Sequence, residues 1–166
     1  PEDTFTYLLK KNMLPLIERI RSELQIPARF TATLLAHTLK HLEGQHPLMP
    51  GFSSDKVFDL LKFLKNSNLD LSLARRMLVH LYQHPKMDFE SILVTLNFKR
   101  IPAEEIVAKV PYLVRKYREI RTSPDDMAGS RWIMGNLSKL ATGNIPMREL
   151  CETVMKTSGQ VDKMIE

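Results

Sequence analysis

Apolar residues recur three and four positions apart along nearly the whole chain, and almost nowhere do they alternate. That spacing lays a stripe down one face of an α-helix, whereas a half-buried strand needs a period of two. Leu16, Ile17, Ile20 and Leu24 form one stripe, and Val57, Phe58, Leu61 and Leu64 another. No alternating Val/Ile/Thr run occurs, and no Asn-Gly or Asp-Gly hairpin joins apolar segments. The expected fold is therefore all-α.

Helix punctuation cuts the stripes into short pieces. Thr4 is expected to cap a first helix, Pro15 to open a second and Pro27 a third that Gly44 ends. Residues 45–52, with Pro47, Pro50 and Gly51, read as a loop. Ser53 or Ser54 starts the next helix and Asn66-Ser67-Asn68 breaks it. Asp70 or Ser72 starts another, stopped by His84-Pro85, and Asp88 begins a short one. Pro102 sits in the first turn of a helix that Pro111 interrupts, with Glu104 and Glu105 at its positive end. Residues 52–64 and 71–82 form a quasi-repeat of amphipathic helix and turn, which predicts stacked short helices.

Thr122-Ser123-Pro124 reads as a boundary, dividing the chain into a helical middle domain, 1–122, and a small helical tail domain, 123–166. The tail carries Trp132, expected to be buried, with Gly129 and Gly135 available for close helix packing. Gly143 ends its first helix, Pro146 opens the next, Ser158-Gly159 closes that, and the last residues read as a further helix cut short.

Composition narrows the function classes. Hydrophobic residues make up 43% and charged ones 26% of 166 residues, which suits one core or two small helical units and excludes a disordered chain. No apolar run reaches the roughly 18 residues that span a bilayer. The opening Pro-Glu-Asp-Thr has no basic-then-apolar leader, and its lack of an initiator Met fits a cut from a longer chain, and equally Met removal or tag cleavage. The single cysteine, Cys151, excludes an internal disulfide and fits a reducing compartment.

Catalytic signatures are absent. His37/His41 and His80/His84 are each one helical turn apart, but neither pair brings a third ligand or the Glu of a His-Glu-x-x-His motif. Cys151 has an acidic neighbour, Glu152, which opposes thiolate formation. Asp125-Asp126 and Glu104-Glu105 match helix starts. No phosphate loop or nucleophile elbow occurs. No catalytic or metal-binding residue is assigned.

Charge is more informative. The net charge is +5, and between positions 109 and 148 eight basic residues face only Glu119, Asp125 and Asp126. Arg115, Lys116, Arg118 and Arg121 lie on about two helical turns, and Arg115, Arg118 and Arg121 can share a face. Arg131, Lys139 and Arg148 add charge beyond them. Scattered cations on a rigid helical face suit structured RNA, which is held mainly through phosphates and shape.

Residues 26–42, Ile-Pro-Ala-Arg-Phe-Thr-Ala-Thr-Leu-Leu-Ala-His-Thr-Leu-Lys-His-Leu, resemble the helical region after the catalytic cradle in the B/E family of tRNA-dependent amidotransferase subunits. The E-type subunit, of glutamyl-tRNA(Gln) amidotransferase, is the more similar. Pro27, Ala32, Leu35, Thr38, Leu39, Lys40 and Leu42 fit the pattern, and His37 stands where the family has an acid. The series continues through Phe58-Asp-Leu-Leu-Lys-Phe-Leu and Leu73-Ala-Arg-Arg-Met-Leu-Val-His-Leu. It ends on Arg131-Trp-Ile-Met-Gly-Asn-Leu-Ser-Lys-Leu-Ala-Thr-Gly-Asn-Ile-Pro, which resembles the family's tail domain, with Asn144 replacing a common lysine.

The resemblance covers about 5–156. It implies a non-catalytic, tRNA-binding C-terminal part of a cytoplasmic subunit that helps convert glutamyl-tRNA(Gln) to glutaminyl-tRNA(Gln), or serves aspartyl-tRNA as a B-type relative. The parent would be an ATP-dependent ligase partnered by an amidase-type or asparaginase-type glutaminase. ATP and Mg²⁺ belong to its missing catalytic domain, and no cofactor is expected here. The expected RNA-binding residues are Arg115, Arg118, Arg121, Arg131, Lys139 and Arg148. The alternative is a helical protein–protein interaction module that binds no RNA.

Overall fold

Every regular element among the described residues is a helix, and none is a strand. The computed structural model describes residues 2–46, 49–120, 125 and 127–163, with side chains between 4 and 159 of those. The chain divides after Phe98 into two compact units, each with its own hydrophobic core.

The first unit opens with α1 (Glu2–Lys10) and α2 (Leu14–Leu24). Next, α3 (Ala28–Thr33) runs through a π-helical turn, Leu34–Leu39, into α4 (Lys40–Gln45). At the end of that turn the Lys40 N–H reaches the Leu35 carbonyl five residues back. The unit closes with α5 (Asp55–Asn66), a 3-10 turn (Leu71–Leu73) leading into α6 (Ala74–Gln83), and α7 (Phe89–Thr95). Helix α6 packs against α5, α7 and the π turn. Its Met77, Leu78, Leu81 and Tyr82 are buried, and the Tyr82 ring lies 4.8 Å from Phe52. Tyr7 of α1 donates to Glu43 of α4 at 3.0 Å, and Lys11 pairs with the same carboxylate at 3.1 Å. Burial, then the Glu43 bond, pushes the Tyr7 phenol well above its usual range.

Three helix ends in this unit use one device. Asn12, Asn68 and Asn97 are left-handed, with φ near +50°. Each lets the next residue's N–H reach a leucine carbonyl five positions back: Met13 to Leu8, Leu69 to Leu64 and Phe98 to Leu93. Asparagine tolerates this backbone because its short polar side chain bonds locally, and an apolar residue after it covers the helix end. Starts follow the expected chemistry in two places. Asp70 accepts from the Ser72 N–H and Asp88 from the Ser91 N–H, both at 2.9 Å.

The second unit contains α8 (Ala103–Val107), α9 (Val110–Ile120), α10 (Ala128–Ala141) and α11 (Met147–Lys163). Ile106, Val110 and Val114 bury against Ile133, Leu137 and Ala141 of α10 and Leu150 and Val154 of α11. The unit therefore starts at Lys99, not at the expected boundary at 122–124, because α8 and α9 share the tail's core. Residues 121–124 lie outside the described ones. Asn144 ties the unit's first residues to the Gly143 turn, where φ is +85°. Its side chain accepts from the Ile101 N–H at 3.1 Å and donates to the Lys99 and Leu140 carbonyls, each at 2.9 Å.

Other expectations need correction. Thr4 lies inside α1 and Gly44 inside α4, so neither ends a helix. Helix α11 runs on through Ser158-Gly159, because helical hydrogen bonding tolerates one glycine. Trp132 is half-buried: it lies off the Ile133/Leu137/Ala141 stripe, with its ring 5.8 Å from that of Tyr117. Gly129 does serve close packing, since a Cβ there would stand 2.8 Å from the Tyr117 ring, whereas Gly135 faces open space.

Candidate nucleic-acid interface

Helix α9 turns Val110 and Val114 inward, so the opposite face must carry what lies between them. That face exposes Tyr112, Arg115, Lys116 and Glu119. Lys109 precedes the helix by one residue, is also exposed, and stands three residues from Tyr112 and seven from Lys116. The three therefore follow one line, in which the Lys116 ammonium is 6.0 Å from the centre of the Tyr112 ring. Tyr112 is 57% exposed.

Arg115 is exposed and Arg118 is half-buried. They share one side of α9, though Glu119 sits on the same outer face as Arg115 and reduces its field. Arg121 lies outside the described residues. On α10, Arg131 and Lys139 are both exposed on the side away from Ile133 and Leu137. Arg131 pairs with Asp125. The bond that Asp125 accepts from the Met127 N–H, then the arginine, holds its carboxyl below the usual range. Arg131 thus already has a carboxylate partner. On α11, Arg148 is exposed but bonded to Glu152 at 3.0 Å.

The six expected residues therefore fall into distinct states. Arg115 and Lys139 are exposed and make no ion pair among the described residues. Arg131 and Arg148 are exposed but paired. Sequence reasoning overlooked Lys109 and Tyr112 as site residues. The available signal was Pro111-Tyr112 in the first turn of α9, on the side opposite Val110 and Val114. Asn144, which replaces the lysine common in the resembled family, is fully engaged in holding the turn.

His37, His41 and His84 are exposed and His80 is half-buried. No three His, Cys, Asp or Glu side chains converge among the described residues. No helix among them is long and apolar enough to cross a membrane. Comparison with known proteins finds no matching family model, curated protein or solved structure.

Proposed function

We propose that this chain is a tRNA-binding, non-catalytic C-terminal part of a glutamyl-tRNA(Gln) amidotransferase subunit, of E type or of the related B type. The observation that carries the reading is the exposed cationic face of α9, Lys109, Arg115 and Lys116 around Tyr112; Lys139 of α10 is a further exposed cation of the same unit, on the side away from Ile133 and Leu137. The ordered resemblance of residues 26–42 and 131–146 to that family supplies the identity of the RNA. Unpaired cations neutralise phosphates, and an exposed aromatic ring offers a surface on which an unstacked base can lie. ATP, Mg²⁺ and the glutaminase partner belong, on this reading, to the parent protein's other parts, and the cytoplasm is where such a protein works.

A fluorescence-anisotropy titration with folded tRNA at two salt concentrations tests the reading. The parent chain should bind weakly and lose affinity as salt rises. Arg115→Gln combined with Lys139→Gln should lower the log–log salt slope by about 2, roughly 0.9 for each phosphate no longer neutralised. Tyr112→Ala should weaken binding while leaving that slope in place. A parent that shows no salt-dependent association overturns the reading and favours a protein partner on the same unit, where Tyr112, Ile120 and Met127 are exposed.

A further inference from the structure

The first unit contains a cleft of about 470 Å³ between the α3–π-turn segment and the 3-10 turn that leads into α6. Its apolar wall is made by Phe30, Leu34 and Leu71, and its polar rim includes His37, Ser72 and Arg75. Small-ligand sites combine this size with an apolar lining and a few placed polar groups. No carboxylate lines the cleft, and Arg75 makes no ion pair among the described residues.

The wall carrying Leu34 and His37 is the π-helical turn. Leu-Leu-Ala-His-Thr-Leu contains neither glycine nor proline, and its leucines and alanine favour an ordinary α-helix. The widened turn is therefore imposed by packing and not by local preference. Such turns are rare, and they concentrate at ligand sites.

We propose that this cleft binds a phosphate monoester carried on a flat or apolar body no larger than a nucleotide. Phe30, Leu34 and Leu71 cover the body, and Arg75 grips the phosphate with two parallel N–H donors. His37, on the facing wall, supplies another N–H whether or not it is charged. Three N–H donors from two opposite walls suit the three outer oxygens of a phosphate better than the two oxygens of a carboxylate. The site lies in the first unit and shares no residue with the cationic face of α9, so it stands or falls independently of tRNA binding.

Amide-resolved NMR titration of the full chain tests it, with phenyl phosphate and AMP as probes and inorganic phosphate and phenol as their halves. Phenyl phosphate should give saturable shifts at residues 30–38 and 71–75, with affinity on the order of 1 mM for so small a probe. Inorganic phosphate and phenol should each bind at least about tenfold more weakly. Arg75→Gln should cost about tenfold and Phe30→Leu several-fold, with the rest of the spectrum unchanged. Shifts with a short 5′-phosphorylated oligonucleotide but not with AMP would place the monoester at the end of an RNA chain, and the reverse would make it a free metabolite; binding of an oligonucleotide that lacks a terminal phosphate, with no binding of AMP or phenyl phosphate, overturns the proposal. Absence of saturation by all the phosphate-bearing probes, or equal affinity in Arg75→Gln, overturns the proposal.

Discussion

Single side chains test the packing directly. Thr31 is completely buried and its hydroxyl has no hydrogen-bond partner among the described residues. Replacing such a hydroxyl by a methyl group of similar shape removes a desolvation cost. Thr31→Val is therefore expected to raise stability by about 1 kcal/mol, seen as a higher unfolding midpoint. The two glycines of α10 make a paired experiment. Gly135→Ala meets open space and should gain about 1 kcal/mol of helix propensity. Gly129→Ala makes the same gain but drives a Cβ to 2.8 Å from the Tyr117 ring, which already rests near Trp132. Displacing a packed ring costs about 1–3 kcal/mol, so this variant should be no more stable than the parent. Equal midpoints for the two alanine variants would show that Tyr117 moves freely. The glycines look alike in sequence, and only the position of Tyr117 separates them.

Helix ends were legible in part, since Thr4, Gly44 and Ser158-Gly159 lie within helices. Asp70, Asp88, His84-Pro85 and Gly143 act where turn chemistry puts them, because capping depends on residues a few positions apart. The π turn left no mark, since Leu-Leu-Ala-His-Thr-Leu fits an α-helix equally well and its distortion comes from neighbouring elements. The three asparagine caps give a prediction. Asn68→Gly should keep or raise stability by removing the Cβ, while Asn68→Ala should lose about 1 kcal/mol, because alanine keeps the Cβ and loses the short polar side chain that makes the left-handed backbone tolerable. Asp88 gives another. The Ser91 side chain, then the Ser91 N–H, bonds its carboxylate and lowers its pKa. Its contribution is present above the unfolded-state value of about 4 and fades as pH falls through the lower folded value. Asp88→Ala should lower the midpoint at neutral pH and shrink the parent's loss of stability below pH 4, as followed by circular dichroism.

The whole molecule is two cores in one chain, and where they divide was misread because Thr122-Ser123-Pro124 looks like a stronger stop than Phe98-Lys99. Apolar periodicity shows which face of α9 is buried but not which core receives it. A fragment of residues 99–166 should therefore unfold cooperatively, whereas 123–166, deprived of Ile106, Val110 and Val114, should not. Calorimetry of the two fragments decides this, and cooperative melting of the shorter one would restore the boundary at 122–124. The cationic set was legible as composition, but its state was not: ion pairs at Arg131 and Arg148 depend on how each rotamer meets its neighbour. The π turn has a consequence for how such a chain can change length. It holds one residue more than an α-helical ladder needs. Deleting a residue elsewhere in a helix rotates everything beyond it by about 100° and turns its apolar stripe away from the core. A deletion within 34–39 instead removes the surplus residue, so the ladder closes and both flanks keep their faces. Glu43 would still meet Tyr7 and Lys11 across the helix pair. In descendants of this sequence, a one-residue gap should accordingly be tolerated at this turn while the tyrosine–carboxylate–lysine cluster beyond it persists.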